Sequence, residues 1–92
     1  MNMTNRAVLE ELLIQIQSHS ISQQSRADFA LSFIDAIESL EDISFSIIDK
    51  ARDWQYRIET EGYVDQKGFE NMDNALLAGI THWLKTLLKN YS

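Results

Sequence analysis

Cysteine and proline are absent from this chain of 92 residues, and glycine occurs only three times. Without cysteine there can be neither a disulfide nor a thiolate metal site. Without proline, and with glycine confined to Gly62, Gly68 and Gly79, the stretch before Gly62 has none of the strong punctuation that separates short strands. Long apolar runs are missing too: no window of about eighteen uncharged apolar residues occurs, so no membrane span is expected. The opening segment MNMTNRAVLEELLIQIQ places Glu10 and Glu11 inside its apolar run and has no small-residue cleavage site. It does not read as a signal peptide, and a cytoplasmic protein is expected. Positive charge is scarce, with 8 Lys and Arg against 14 Asp and Glu, a net charge of −6 and a pI near 4.7. This balance disfavours direct binding to nucleic acid or to an anionic membrane, so a partner selected by charge is a basic one.

Apolar residues make up 45% of the chain and charged residues 24%, the composition of a folded globular protein. At this length one domain spanning residues 1–92 is expected, with a single core. Apolar spacing predicts helices. Val8, Leu9, Leu12, Leu13 and Ile16 mark one face of a helix over about 4–18, with Thr4 as its N-cap. The polar segment SHSISQQS reads as a loop. A stripe then runs in phase through Phe29, Phe33, Ala36, Ile37, Leu40, Ile43, Ile47, Ala51, Trp54 and Ile58. A single helix of that length would overhang so small a domain, which predicts a break near Ser39 to Asp42 and helices over 23–39 and 42–60. GYVDQKGF reads as a loop, and Phe69, Met72, Leu76, Ile80, Trp83, Leu87 and Tyr91 mark a last helix over 69–90. Leu77, Leu84 and Leu88 widen its apolar arc, which predicts a central position. Gly79 is expected to permit a close helix contact. The fold class is all-α, a small three- or four-helix bundle in up-and-down arrangement.

Residues 25–49 repeat one pattern: Ser25 and Asp28, Ser32 and Asp35, Ser39 and Asp42, Ser46 and Asp49, with no Lys or Arg between Ala27 and Asp49. On a helix, positions seven apart drift only about 20° per heptad, so the aspartates would form one stripe. The first reading is a solvated face with a cap, since Ser22, Ser25 and Ser39 each offer a helix start. The second is a partner surface. Asp28, Asp35, Glu38, Glu41, Asp42 and Asp49 lack a basic residue to pair with along the helix, and unneutralised carboxylates suit a basic partner.

Chemistry of other kinds has little support. His19 and His82 have no second ligand at helical metal-site spacing and read as structural histidines, so no metal or cofactor is expected. Carboxylate pairs such as Glu41 and Asp42, or Glu59 and Glu61, have no nucleophile or phosphate loop beside them, and no catalytic residue is assigned. In DWQYRIETEGYVD, Trp54 reads as core, while Tyr56 and Tyr63 suit either the rim of the core or an interface.

A polar loop leading into ISQQSRADFALSFIDAI, followed by YVDQKGFENMDNALLAGITHWLKTLL, resembles the layout of the bacterial self-protective colicin-like immunity proteins. The resemblance implies a compact helical bundle that presents acidic residues to the basic active-site surface of a nuclease toxin. Carried onto this chain, it points to Asp35, Glu38, Glu41, Asp42 and Glu61, with Tyr63 as an aromatic anchor. The expected function is a non-enzymatic, acidic protein-binding domain. The alternative is a self-associating helical protein, a homodimer without a toxin partner, that buries Phe45, Leu77, Leu84 and Leu88 in a two-fold interface.

Overall fold

The computed structural model describes residues 4–22 and 25–91. It contains α1 (Asn5–Ser22), α2 (Arg26–Glu38), α3 (Phe45–Thr60), β1 (Gly62–Val64), β2 (Glu70–Met72) and α4 (Asn74–Tyr91). Thr4 caps α1 by accepting a hydrogen bond from the Ala7 amide at 3.1 Å, and Ser25 caps α2 by accepting one from Asp28 at 3.1 Å. The expected break falls in the segment between α2 and α3, where Asp42 adopts a left-handed backbone with φ of 57°. Aspartate is among the few L-residues that enter this region readily.

Hydrogen bonds at the two ends of the bundle establish its direction. At one end, the Asn5 amide donates to the Glu41 carbonyl at 2.8 Å and to the Tyr91 carbonyl at 3.3 Å, and its oxygen accepts from the Glu41 amide at 2.8 Å. The start of α1, the end of α2 and the end of α4 therefore meet. At the other end, Arg26 at the start of α2 donates to the carbonyls of Ile58 and Glu59 at 3.3 and 3.2 Å, capping the C-terminus of α3 with a cation. The arrangement is up-and-down, with α1 packed chiefly on α4 and α2 chiefly on α3. The wide apolar arc of the last helix touches each of the other three helices. That arc is used by α1 on one side and by the aromatic residues of α2 and α3 on the other.

The core joins all four helices. Leu9 and Leu12, Phe29, Phe33 and Ile37, Ala51 and Ile58, and Leu76, Ile80 and Leu84 are all buried. Phe33 lies 6.2 Å from Trp83 between ring centroids, and Trp83 lies 6.3 Å from Trp54, so tilted aromatic rings link α2, α4 and α3. Trp54 is core, as expected, with Lys50 and Arg57 over its ring at 4.9 Å each. A Cβ at position 79 would stand 3.0 Å from the Trp54 ring, so Gly79 does permit the close approach of α4 to α3.

The helices expected over 23–39 and 42–60 begin three residues later, at Arg26 and Phe45, and two other boundaries differ more. α1 continues through Ser18 to Ser22 instead of ending at the serine-rich segment. The side chains of residues 18–24, including His19 and Ser22, lie outside the described residues. GYV and ENM pair antiparallel, with Tyr63 opposite Asn71, so a hairpin stands where a loop and the first turn of the last helix were expected. The hairpin is closed by Asp65, whose carboxylate accepts from the amides of Lys67 and Phe69 at 2.9 and 3.0 Å and from the Asn71 side chain at 3.0 Å. Gly68 completes the turn with φ of 86°.

Candidate partner-binding surface

The helix break dissolves the single aspartate stripe. Asp28 and Asp35 remain on α2, Asp42 sits in the left-handed turn, and Asp49 is on α3. The serines take separate local roles as well. Ser25 is a cap, Ser39 closes the end of α2 by donating to the Ala36 carbonyl at 2.6 Å, and Ser46 shares a hydrogen bond with Ser44 at 2.8 Å. Ser39 is thus a helix stop and not a helix start.

Ser32 and Ser39 have a further consequence. Together with Ala36 they give α2 a row of short side chains facing α1, and a groove of about 320 Å³ opens between the two helices. Its floor is apolar, formed by Val8, Leu12 and Ala36. Glu11 on α1 and Asp35 on α2 put a carboxylate on each wall, and Gln15 donates to Glu11 at 3.5 Å. No basic residue lines this groove among the described residues. The exposed Leu31 lies on the outward side of α2, one helical turn from Asp28 and from Asp35.

The residues implied by the resemblance do not converge on one spot. Asp35 and Glu38 are exposed on α2. Glu41 and Asp42 border a separate hollow at the bundle end with Thr4, Asn5, Arg6 and Tyr91. Arg6 brings a cation to that hollow, but its guanidinium is paired with Glu10 at 2.9 Å. Among the described residues, Asp28, Asp35, Glu38, Glu41, Asp42 and Asp49 form no ion pair.

Glu61 and Tyr63 lie at the opposite end of the bundle, by the hairpin. Glu61 accepts from the Arg57 guanidinium at 2.6 Å. That hydrogen bond and the arginine's charge hold its carboxyl below the usual range and raise the arginine in turn. Glu61 is neutralised within the chain and is a poor counterpart of the open carboxylates on α2. Tyr63 is exposed and borders a smaller hollow with Gln17, Asn71 and Asn74.

Glu11 escaped the sequence reading. It lies one turn from Val8 at the edge of the apolar face of α1, and only the pairing of α1 with α2 gives that edge a meaning. Asp65 escaped it too, although an aspartate three residues before a glycine is a turn signal. Its carboxyl is held below its usual range, first by the Phe69 amide and then by Asn71.

No group of three or more His, Asp or Glu residues able to hold a metal ion occurs among the described residues, and His82 is exposed on α4. No helix among them is long and apolar enough to cross a membrane. Leu84, expected at a dimer interface in the alternative reading, is fully buried, and Leu77 and Leu88 pack against the core. Comparison with known protein families, curated proteins and solved structures finds no match for this chain.

Proposed function

We propose that this chain is a non-enzymatic, acidic protein-binding domain that masks a basic partner, and that the α1–α2 groove receives a Lys or Arg side chain of that partner. One observation carries the reading: a groove with an apolar floor has a carboxylate on each wall and no basic residue lining it among the described residues. Lysine and arginine side chains have the matching form, an aliphatic stem that favours apolar contact and a cationic head that favours carboxylates. Asp28 and Glu38 extend the acidic surface along α2, and Glu41 and Asp42 continue it past the end of that helix. Charges so placed raise the rate of encounter with a basic surface.

The most concrete form of the proposal is an immunity protein that covers the basic active-site surface of a nuclease toxin. The acidic α2 face and the layout resemblance support it. Glu61 is outside this surface, and Tyr63 belongs to it only if the partner spans the length of the bundle.

The test is to capture the partner on the immobilised chain, identify it, and measure its association with Glu11→Lys and Asp35→Lys variants. The expected partner is basic, its nuclease activity is blocked by the chain, and each reversal slows association by about tenfold or more. Unchanged association in both variants, or a partner with no basic surface, overturns the proposal.

A further inference from the structure

We infer that the outer face of α3 is a self-complementary docking surface for a second copy of this chain. α3 buries Ile47, Ala51, Trp54 and Ile58 against the bundle. Phe45, Asp49, Arg52 and Tyr56 point the other way, at spacings of four, three and four, and share one face within about 60°. All are exposed, Phe45 at 70% and Tyr56 at 67%, the two highest values among the exposed large apolar and aromatic side chains of the described residues. Single exposed apolar groups are ordinary on protein surfaces. The symmetry of this set is what points to a partner.

When two copies of α3 are laid antiparallel about a two-fold axis centred between Lys50 and Ala51, Phe45 stands opposite Tyr56 of the second copy. Asp49 stands opposite Arg52 of the second copy. Each contact occurs twice, as an isologous interface requires. The result is two aromatic pairs at the ends and two opposite-charge pairs in the middle. Among the described residues neither Asp49 nor Arg52 forms an ion pair within its own chain, so both are available for the contact. A parallel pairing in register would set aspartate against aspartate and arginine against arginine, so charge selects the antiparallel form.

The Phe45 to Tyr56 span is about 16 Å long, which makes the interface small and the dimer concentration-dependent. The stripe shares no residue with the α1–α2 groove. It also replaces the dimer surface expected from sequence, since Leu84 is core and only Phe45 of that set is freely exposed.

Sedimentation equilibrium of the full chain tests this, with thermal unfolding confirming that each variant folds. The wild type should dimerise as concentration rises to about 1 mM, the weak end of specific association. Asp49→Arg alone and Arg52→Asp alone should each weaken dimerisation by about tenfold or more. Mixing the two single variants should restore association, because both contacts between positions 49 and 52 then join opposite charges again. Carrying both changes in one chain should restore it for the same reason, with the two signs exchanged. A wild type that stays monomeric throughout overturns the inference, as does a dimer that both single reversals leave unchanged or that neither combination restores.

Discussion

The two ends of α2 treat charge in opposite ways. At the hairpin end, charge is spent inside the chain: Arg26 caps α3 and lies 3.5 Å from Glu70, Arg57 holds Glu61, and Asp65 accepts three hydrogen bonds. From the middle of α2 to the turn after it, Asp35, Glu38, Glu41 and Asp42 form no ion pair among the described residues. The same residue types are structural in one region and open to solvent in the other. Substitutions at the hairpin end should therefore change stability, and substitutions along the groove should change association.

The largest effect is expected at Gly62. A Cβ there would overlap the Asn71 carbonyl oxygen and stand 2.8 Å from Cδ of Arg26. Backbone and a constrained arginine leave little room to adjust, so Gly62→Ala should destabilise the fold by about 3 kcal/mol in urea unfolding. Arg26→Met should follow at about 2 kcal/mol, because the Ile58 and Glu59 carbonyls lose a charged donor while the aliphatic packing is kept.

A smaller, pH-dependent effect is expected from Asp65 and Glu61. Both carboxyls are held below their ordinary values in the folded state. Their contribution is complete above the unfolded-state values, about pH 4 to 4.5, and is lost as pH falls through the depressed folded-state values. Unfolding followed between about pH 5 and 2 should show this decline, and Asp65→Asn should flatten part of it. The smallest change in stability belongs to the groove. Asp35→Lys should shift it by no more than about 0.5 kcal/mol, in the stabilising direction, because the new cation faces Glu11. A large loss on that substitution would erase the contrast between the two regions.

Much of the fold was legible in residue spacing. The stripe from Phe29 to Ile58 is core at Phe29, Phe33, Ile37, Leu40, Ile47, Ala51, Trp54 and Ile58, and the break falls where bundle size required one. The hairpin was not legible. Its strands are three residues long, β1 is exposed throughout and shows no alternation, and Phe69 and Met72 happen to continue the helical phase of α4. The serine-rich end of α1 misled because serine's low helix propensity is only a weak guide to where a helix stops. Of the candidate site, Asp35 and its neighbours on α2 could be read from sequence. Glu11 could not, because a groove belongs to a pair of helices and the pairing of α1 with α2 is not written in either one. The four Ser and Asp repeats suggested one surface, yet the turn at Asp42 distributes them among a cap, a groove, a helix stop and an outer face.

The most direct test is the rate at which the captured basic partner associates with the wild-type chain and with a Glu11→Lys, Asp35→Lys double variant, at low and high salt. A wild-type rate that falls steeply with salt, and a double variant that is slow at both salts yet as stable as the wild type, is the predicted result. Equal rates for the two proteins at low salt would contradict the assignment of the α1–α2 groove as the binding surface.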